Sequence, residues 1–148
     1  MRPPLSSHSA HADRPAAWYE WYPDYAYDFS GISFSAGDSV TLTVTASSTT
    51  SGTAVITNNS KGKTVSKSIT SSSALCEQDA EWIVEDFEEG SSLVPFANFG
   101  TVTFTGASAK TASGSVSPAG STIIDIQQNG KTLTSVSTSG SSVTVAYV

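Results

Sequence analysis

Hydrophobic and polar residues alternate with a period of two through most of this chain. Ser39 to Ala46 reads Ser-Val-Thr-Leu-Thr-Val-Thr-Ala, which puts Val40, Leu42 and Val44 on one, inward face of a strand. Thr53 to Thr57 and Thr64 to Ile69 repeat the pattern on either side of Asn58-Asn59-Ser60-Lys61-Gly62-Lys63, which predicts a hairpin connection. Further strands are expected at Thr101 to Thr105, Ser121 to Gln127, Lys131 to Val136 and Ser142 to Tyr147. Asn129-Gly130 supplies a two-residue turn between the second and third of these. Trp18 to Tyr22 alternates aromatic residues with Glu20 and is stopped by Pro23-Asp24. Only residues 80–89 could pass for a helix, and there Glu81 and Glu85 would repel at a spacing of four while Trp, Ile and Val favour a strand. Many short antiparallel strands with Gly, Ser and Asn turns predict an all-β sandwich.

The strand predicted at residues 81–87 is dense in carboxylates. With period two, Glu81, Ile83, Glu85 and Phe87 share one face, and Trp82, Val84, Asp86 and Glu88 share the other. Glu85 then lies between two apolar neighbours and close to other acids, a setting expected to raise its pKa as a general acid or base in acidic medium requires. A solvated edge strand with a charged fringe accounts for the same spacing.

At 148 residues the chain is expected to form one domain with a real core. Charged residues make up 14% and the net charge is −6, with no basic stripe, so nucleic acid and anionic membrane are poor partners. Polarity comes instead from 28 Ser and 18 Thr, whose hydroxyls do not titrate in acid. No apolar run is long enough to span a membrane, and the positively charged start, Met1 to Ala10, has no apolar core of a signal peptide. Residues 1–16 read as a disordered leader and 17–148 as the folded domain. His8 and His11 in the leader have no neighbouring ligands, so no metal is expected. Asn58-Asn59-Ser60 is a glycosylation acceptor on the predicted turn. Cys76 is the only cysteine; it cannot form an intrachain disulfide and is expected to be a small buried hydrophobe.

Three motifs together carry a resemblance. Trp18-Tyr19-Glu20-Trp21-Tyr22-Pro23-Asp24, Ala80-Glu81-Trp82-Ile83-Val84-Glu85-Asp86-Phe87-Glu88 and Val94-Pro95-Phe96 resemble the eqolisins, acid-acting glutamic endopeptidases. The similarity runs from about Ala17 to Val148 and includes Gly31-Ile32-Ser33-Phe34, Gly37-Asp38-Ser39-Val40 and Val145-Ala146-Tyr147-Val148. The resemblance implies an antiparallel sandwich like those of legume lectins and glucanases, an extracellular location, a protein or peptide substrate and no cofactor. It places the catalytic Glu at Glu85, gives Glu81 an orienting or tuning role, and puts Trp18, Glu20 and Tyr22 along the substrate cleft. The aromatic stretch could equally be a strand of the core.

One part of the family pattern is missing. The catalytic Gln of the family lies upstream of the aromatic motif, where this chain has only residues 1–16 and no Gln; Gln78, Gln127 and Gln128 all follow it. Cys76 likewise matches a half-cystine whose partner would lie in that segment. The sandwich is therefore expected to be incomplete at its N-terminus. Its exposed sheet edge would invite self-association or completion by an N-terminal fragment, and activity of this chain alone is open. A noncatalytic peptide- or glycan-binding sandwich and a degenerate, inactive homologue are the alternatives.

Overall fold

The structure is a computed structural model that describes residues 16–86, 88–89 and 92–148. Residues 1–15 of the expected leader 1–16 lie outside the described residues, as do Phe87, Gly90 and Ser91. Every regular element described is a strand, and every pairing is antiparallel. Contacts divide the chain into two compact units, one ending at Gln78 and the other Asp79–Val148.

The first unit is built on a three-stranded sheet. Strands β1 (Trp18–Tyr19) and β2 (Tyr27–Asp28) form a separate short pair. Strands β3 (Val40–Ser48), β4 (Ser51–Asn58) and β5 (Lys63–Thr70) form a meander with β4 in the centre. The register is continuous from Ser51↔Thr70 to Asn58↔Lys63, so the β-branched residues expected to pair do so across a full eight-residue ladder. Burial follows position in the sheet: Ile56 of the central strand is buried, whereas Val40, Leu42 and Val44 of the edge strand are 39%, 62% and 84% exposed. The predicted apolar face of β3 is present and largely exposed among the described residues.

The expected exposed turn at Asn58 is corrected by the structure. Asn58 is fully buried at the end of β4. Its Nδ2 donates to the Ser33 carbonyl (3.0 Å) and to Asp38 Oδ2 (2.7 Å), and its Oδ1 accepts from the Lys61 N–H (3.1 Å). Both amide hydrogens are committed, an environment unlike the open turn expected around a glycan acceptor. Asp38 completes the cluster, accepting from the Ser35 N–H (2.8 Å) and pairing with Lys61 Nζ (3.3 Å).

The second unit centres on β14. Strands β6 (Glu88–Glu89) and β7 (Ser92–Leu93) form a short pair; β8 (Thr101–Phe104), β9 (Ala109–Thr111) and β10 (Gly114–Val116) follow. Strands β11 (Gln127–Gln128) and β12 (Lys131–Thr132) form the hairpin expected at Asn129-Gly130. Those two residues have φ of 51° and 76°, the left-handed pair that the tight turn demands. Strand β14 (Ser142–Tyr147) lies between β13 (Thr134–Ser139) and β8, and buries Val143 and Val145. Phe96, Phe99 and Tyr147 pack as an aromatic cluster, with ring centroids 5.7 to 6.2 Å apart.

Two predicted strands are not formed as expected. Residues 121–126 run outside any ladder, and the pairing of this hairpin begins only at Gln127. Residues 81–86 also join no ladder, although their side chains alternate as predicted: Glu81, Ile83 and Glu85 are exposed, while Trp82, Val84 and Asp86 are half-buried. Period two describes the direction of side chains and is satisfied by an unpaired extended segment; a ladder also requires a neighbouring backbone.

Candidate functional site

Two sets of sequence-selected residues are placed by the structure, one in each unit. In the first unit, the aromatic motif turns back on itself instead of running on as one strand. The Asp24 N–H donates to the Trp21 carbonyl (2.9 Å), and β1 ends at Tyr19. Alternation persists through the turn. Trp18, Glu20 and Tyr22 are exposed, while Tyr19 and Trp21 are half-buried. Trp21 is anchored by its indole N–H, which donates to the Ser73 carbonyl at 2.8 Å. Tyr19 packs between Tyr27 (5.8 Å, stacked) and Phe29 (5.0 Å, edge-on), with Lys67 Nζ 5.9 Å from its ring centroid.

These rings border an open, largely apolar groove of ≈ 680 Å³ over the uncovered face of β3 and β4. Trp18, Glu20 and Tyr22 line it together with Leu42, Val44 and Ile56. The three cleft candidates therefore share one surface concavity, and none of them sits in a closed core.

Two titratable groups of this unit are shifted by their neighbours. Hydrogen bonding from Asn58 and from the Ser35 N–H, aided by Lys61, holds the Asp38 carboxyl below the usual carboxylate range. The negative charge of Asp24 raises the Tyr27 phenol, whose hydroxyl donates to both Asp24 oxygens at 3.3 Å.

In the second unit, Glu81 and Glu85 point to the same, exposed face of residues 81–86. Ile83 between them is 60% exposed, so the apolar flank expected to bury Glu85 does not do so. The opposite face carries a contact that spacing did not reveal. Gln128 of β11 donates its Nε2 to both oxygens of Asp86, at 3.0 and 2.8 Å, across 42 residues of chain. The other hairpin glutamine, Gln127, reaches Thr132 Oγ1 at 3.5 Å. Cys76 is an exposed free thiol, which corrects the expectation of a buried one; it lies in a stretch that forms no strand. Among the described residues no group of three or more His, Cys, Asp or Glu side chains converges as a metal site.

Antiparallel strands with no helix among the described residues, an aromatic groove and an exposed Glu on an acid-rich segment fit the glutamic peptidases as a class. The sequence matches the Peptidase A4 family over residues 10–147, and the chain belongs to that family, the eqolisins. It is 54% identical over 134 residues to Aspergillopepsin-2 of Aspergillus niger, covering 89% of this chain and 48% of that protein. It is 45% identical over 141 residues to Scytalidopepsin B of Scytalidium lignicola, covering 89% of this chain and 54% of that one. The chain thus spans about half the length of the curated relatives it matches. The crystal structure of aspergilloglutamic peptidase from Aspergillus niger matches with a TM-score of 0.85 over 90% of this chain and 79% of that one, at 54% identity. The eqolisin SCP-B in complex with the tripeptide Ala-Ile-His matches with a TM-score of 0.76 over 83% and 67%, at 40% identity. The all-β sandwich class expected from the strand pattern is the class of these neighbours.

Proposed function

We propose that residues 17–148 are an acid-acting glutamic endopeptidase domain in which the Glu85 carboxylate activates a water for attack on a scissile peptide carbonyl. The same group then protonates the leaving amine. The observation that carries this reading is an exposed carboxylate within a family-like motif: Glu85, the catalytic Glu by resemblance of the acid-rich motif to the family, projects to the exposed face of its segment. Glu81, on the same face, orients or tunes it. Trp18, Glu20 and Tyr22, cleft residues by family resemblance, line the groove of the first unit, a surface suited to an extended peptide.

A tetrahedral oxyanion also needs a hydrogen-bond donor, and absence of one costs about a hundredfold to a thousandfold in rate. The side-chain amide of Gln128 is already committed to Asp86. A donor other than the Gln128 amide therefore has to serve the oxyanion, and a segment that pairs with the exposed edge strand β3 is one source of it. An extracellular location follows from the same family reading.

The test is cleavage of an unfolded protein substrate between pH 2 and 7, with Glu85→Gln as control, for this chain alone and mixed with the N-terminal portion of a relative such as Aspergillopepsin-2. Acid-optimal cleavage that disappears in Glu85→Gln supports the proposal. No cleavage in either sample from folded protein overturns it.

The exposed aromatic rings of Trp18 and Tyr22 favour a second reading, a noncatalytic module that stacks peptide or glycan in the groove. Retention of peptide or oligosaccharide that is unchanged in Trp18→Ala and Tyr22→Ala would remove it.

A further inference from the structure

We infer that Gln128 and Asp86 are positioning residues for Glu85, acting as a side-chain clamp that decides which face of residues 81–86 is presented to substrate. The inference rests on the reading of Glu85 as the reacting carboxylate. Residues 81–86 join no sheet, so no backbone ladder sets their register. On such a segment a rotation that exchanges the two faces is opposed only by side-chain contacts. The Gln128 amide on Asp86 is the hydrogen bond that ties this segment to a distant element among the described residues. Both partners are half-buried, which excludes much of the competing water and strengthens a hydrogen bond to an ionised carboxylate.

The anchor itself is well fixed. Gln128 lies in β11, whose register with β12 is set by Gln127↔Thr132, Gln128↔Lys131 and the Asn129-Gly130 turn. Holding Asp86 toward β11 holds its neighbour Glu85 on the opposite face, because successive side chains of an extended backbone alternate. Among charged groups, Lys131 is the ladder partner of Gln128, and Glu85 and Glu88 are neighbours of Asp86 along the chain.

The experiment uses the full chain and compares wild type with Gln128→Ala and Gln128→Glu. Backbone order parameters of residues 83–86 are measured by ¹⁵N relaxation at pH 3 and pH 7. In wild type the Glu85 amide is expected near the rigid value of about 0.85, and Gln128→Ala is expected to lower it below about 0.6. Gln128→Glu supplies the specific signature. Near pH 3 a carboxyl faces Asp86 and can donate a proton to it, so order is restored; at pH 7 two carboxylates repel, and order is lost. Glu85 order unchanged in Gln128→Ala, or a Gln128→Glu variant indifferent to pH, overturns the clamp. If Gln128→Ala fails to fold, the two pH arms of Gln128→Glu decide alone.

Where the wild-type sample, alone or complemented, cleaves substrate, Gln128→Ala should lower kcat by up to about a hundredfold with KM little changed. Retained kcat overturns the positioning role. Where no sample cleaves, the peptidase reading fails separately and the order parameters still judge the clamp.

Discussion

Asn58 shows how a residue with an obvious surface motif can be a structural centre. Its side chain joins the end of β4 to the Ser33 and Asp38 segment and to the following turn through three hydrogen bonds. Replacing it with Ala leaves buried partners unpaired and is expected to destabilise by about 1–3 kcal/mol, measured by urea unfolding. Material expressed in a glycosylating host should carry no glycan on folded protein at Asn58, as mass spectrometry would report. Asp38 predicts a pH dependence of definite sign. Its folded pKa is depressed, so its contribution is fully present above the unfolded value of about 3.9 and is lost as pH falls through the lower folded value. Asp38→Asn should therefore be less stable than wild type at pH 6, with the difference shrinking below pH 4. A gap that stays constant across that range would contradict this account.

At the scale of elements, the β3–β4 hairpin is held by a close approach as much as by its ladder. A Cβ at Gly52 would stand 2.8 Å from the Thr45 carbonyl oxygen and 3.4 Å from Cζ3 of Trp21. Gly52→Ala must push one of them aside and is expected to cost about 1–3 kcal/mol, visible as a lowered unfolding midpoint and altered tryptophan fluorescence. The turn of β11 and β12 makes a comparable demand: Gly130 has φ of 76°, so Gly130→Ala should lose roughly 1 kcal/mol. That substitution should also loosen the hairpin bearing Gln128, and with it residues 83–86.

Across the described residues several large apolar side chains are exposed. Leu42, Val44, Tyr22 and Ile124 are 62%, 84%, 83% and 81% exposed. An edge strand with an apolar face is a template for another chain. The protein is expected to self-associate with rising concentration, and Leu42→Lys with Val44→Lys should shift sedimentation velocity profiles toward monomer. Addition of a complementing family segment should compete with self-association in wild type and fail to do so in the double variant. Charge at these two positions with no change in association state would assign the face no such role.

Local chemistry was sufficient for a large part of this protein. Alternation of β-branched and polar residues determined the all-β class, the hairpin of β4 and β5 and the shared face of Glu81 and Glu85, because side-chain direction depends only on adjacent backbone. Asn129-Gly130 determined its turn for the same reason, and the aromatic and acid-rich motifs determined the family. Tertiary structure alone decided that residues 81–86 stay outside a ladder, that Val40, Leu42 and Val44 remain uncovered, and that Asn58 and Cys76 exchange their expected environments. It also decided that Gln128 reaches Asp86 across 42 residues. Each of these depends on which distant segment packs alongside, and a repeat of two residues carries no information about that neighbour.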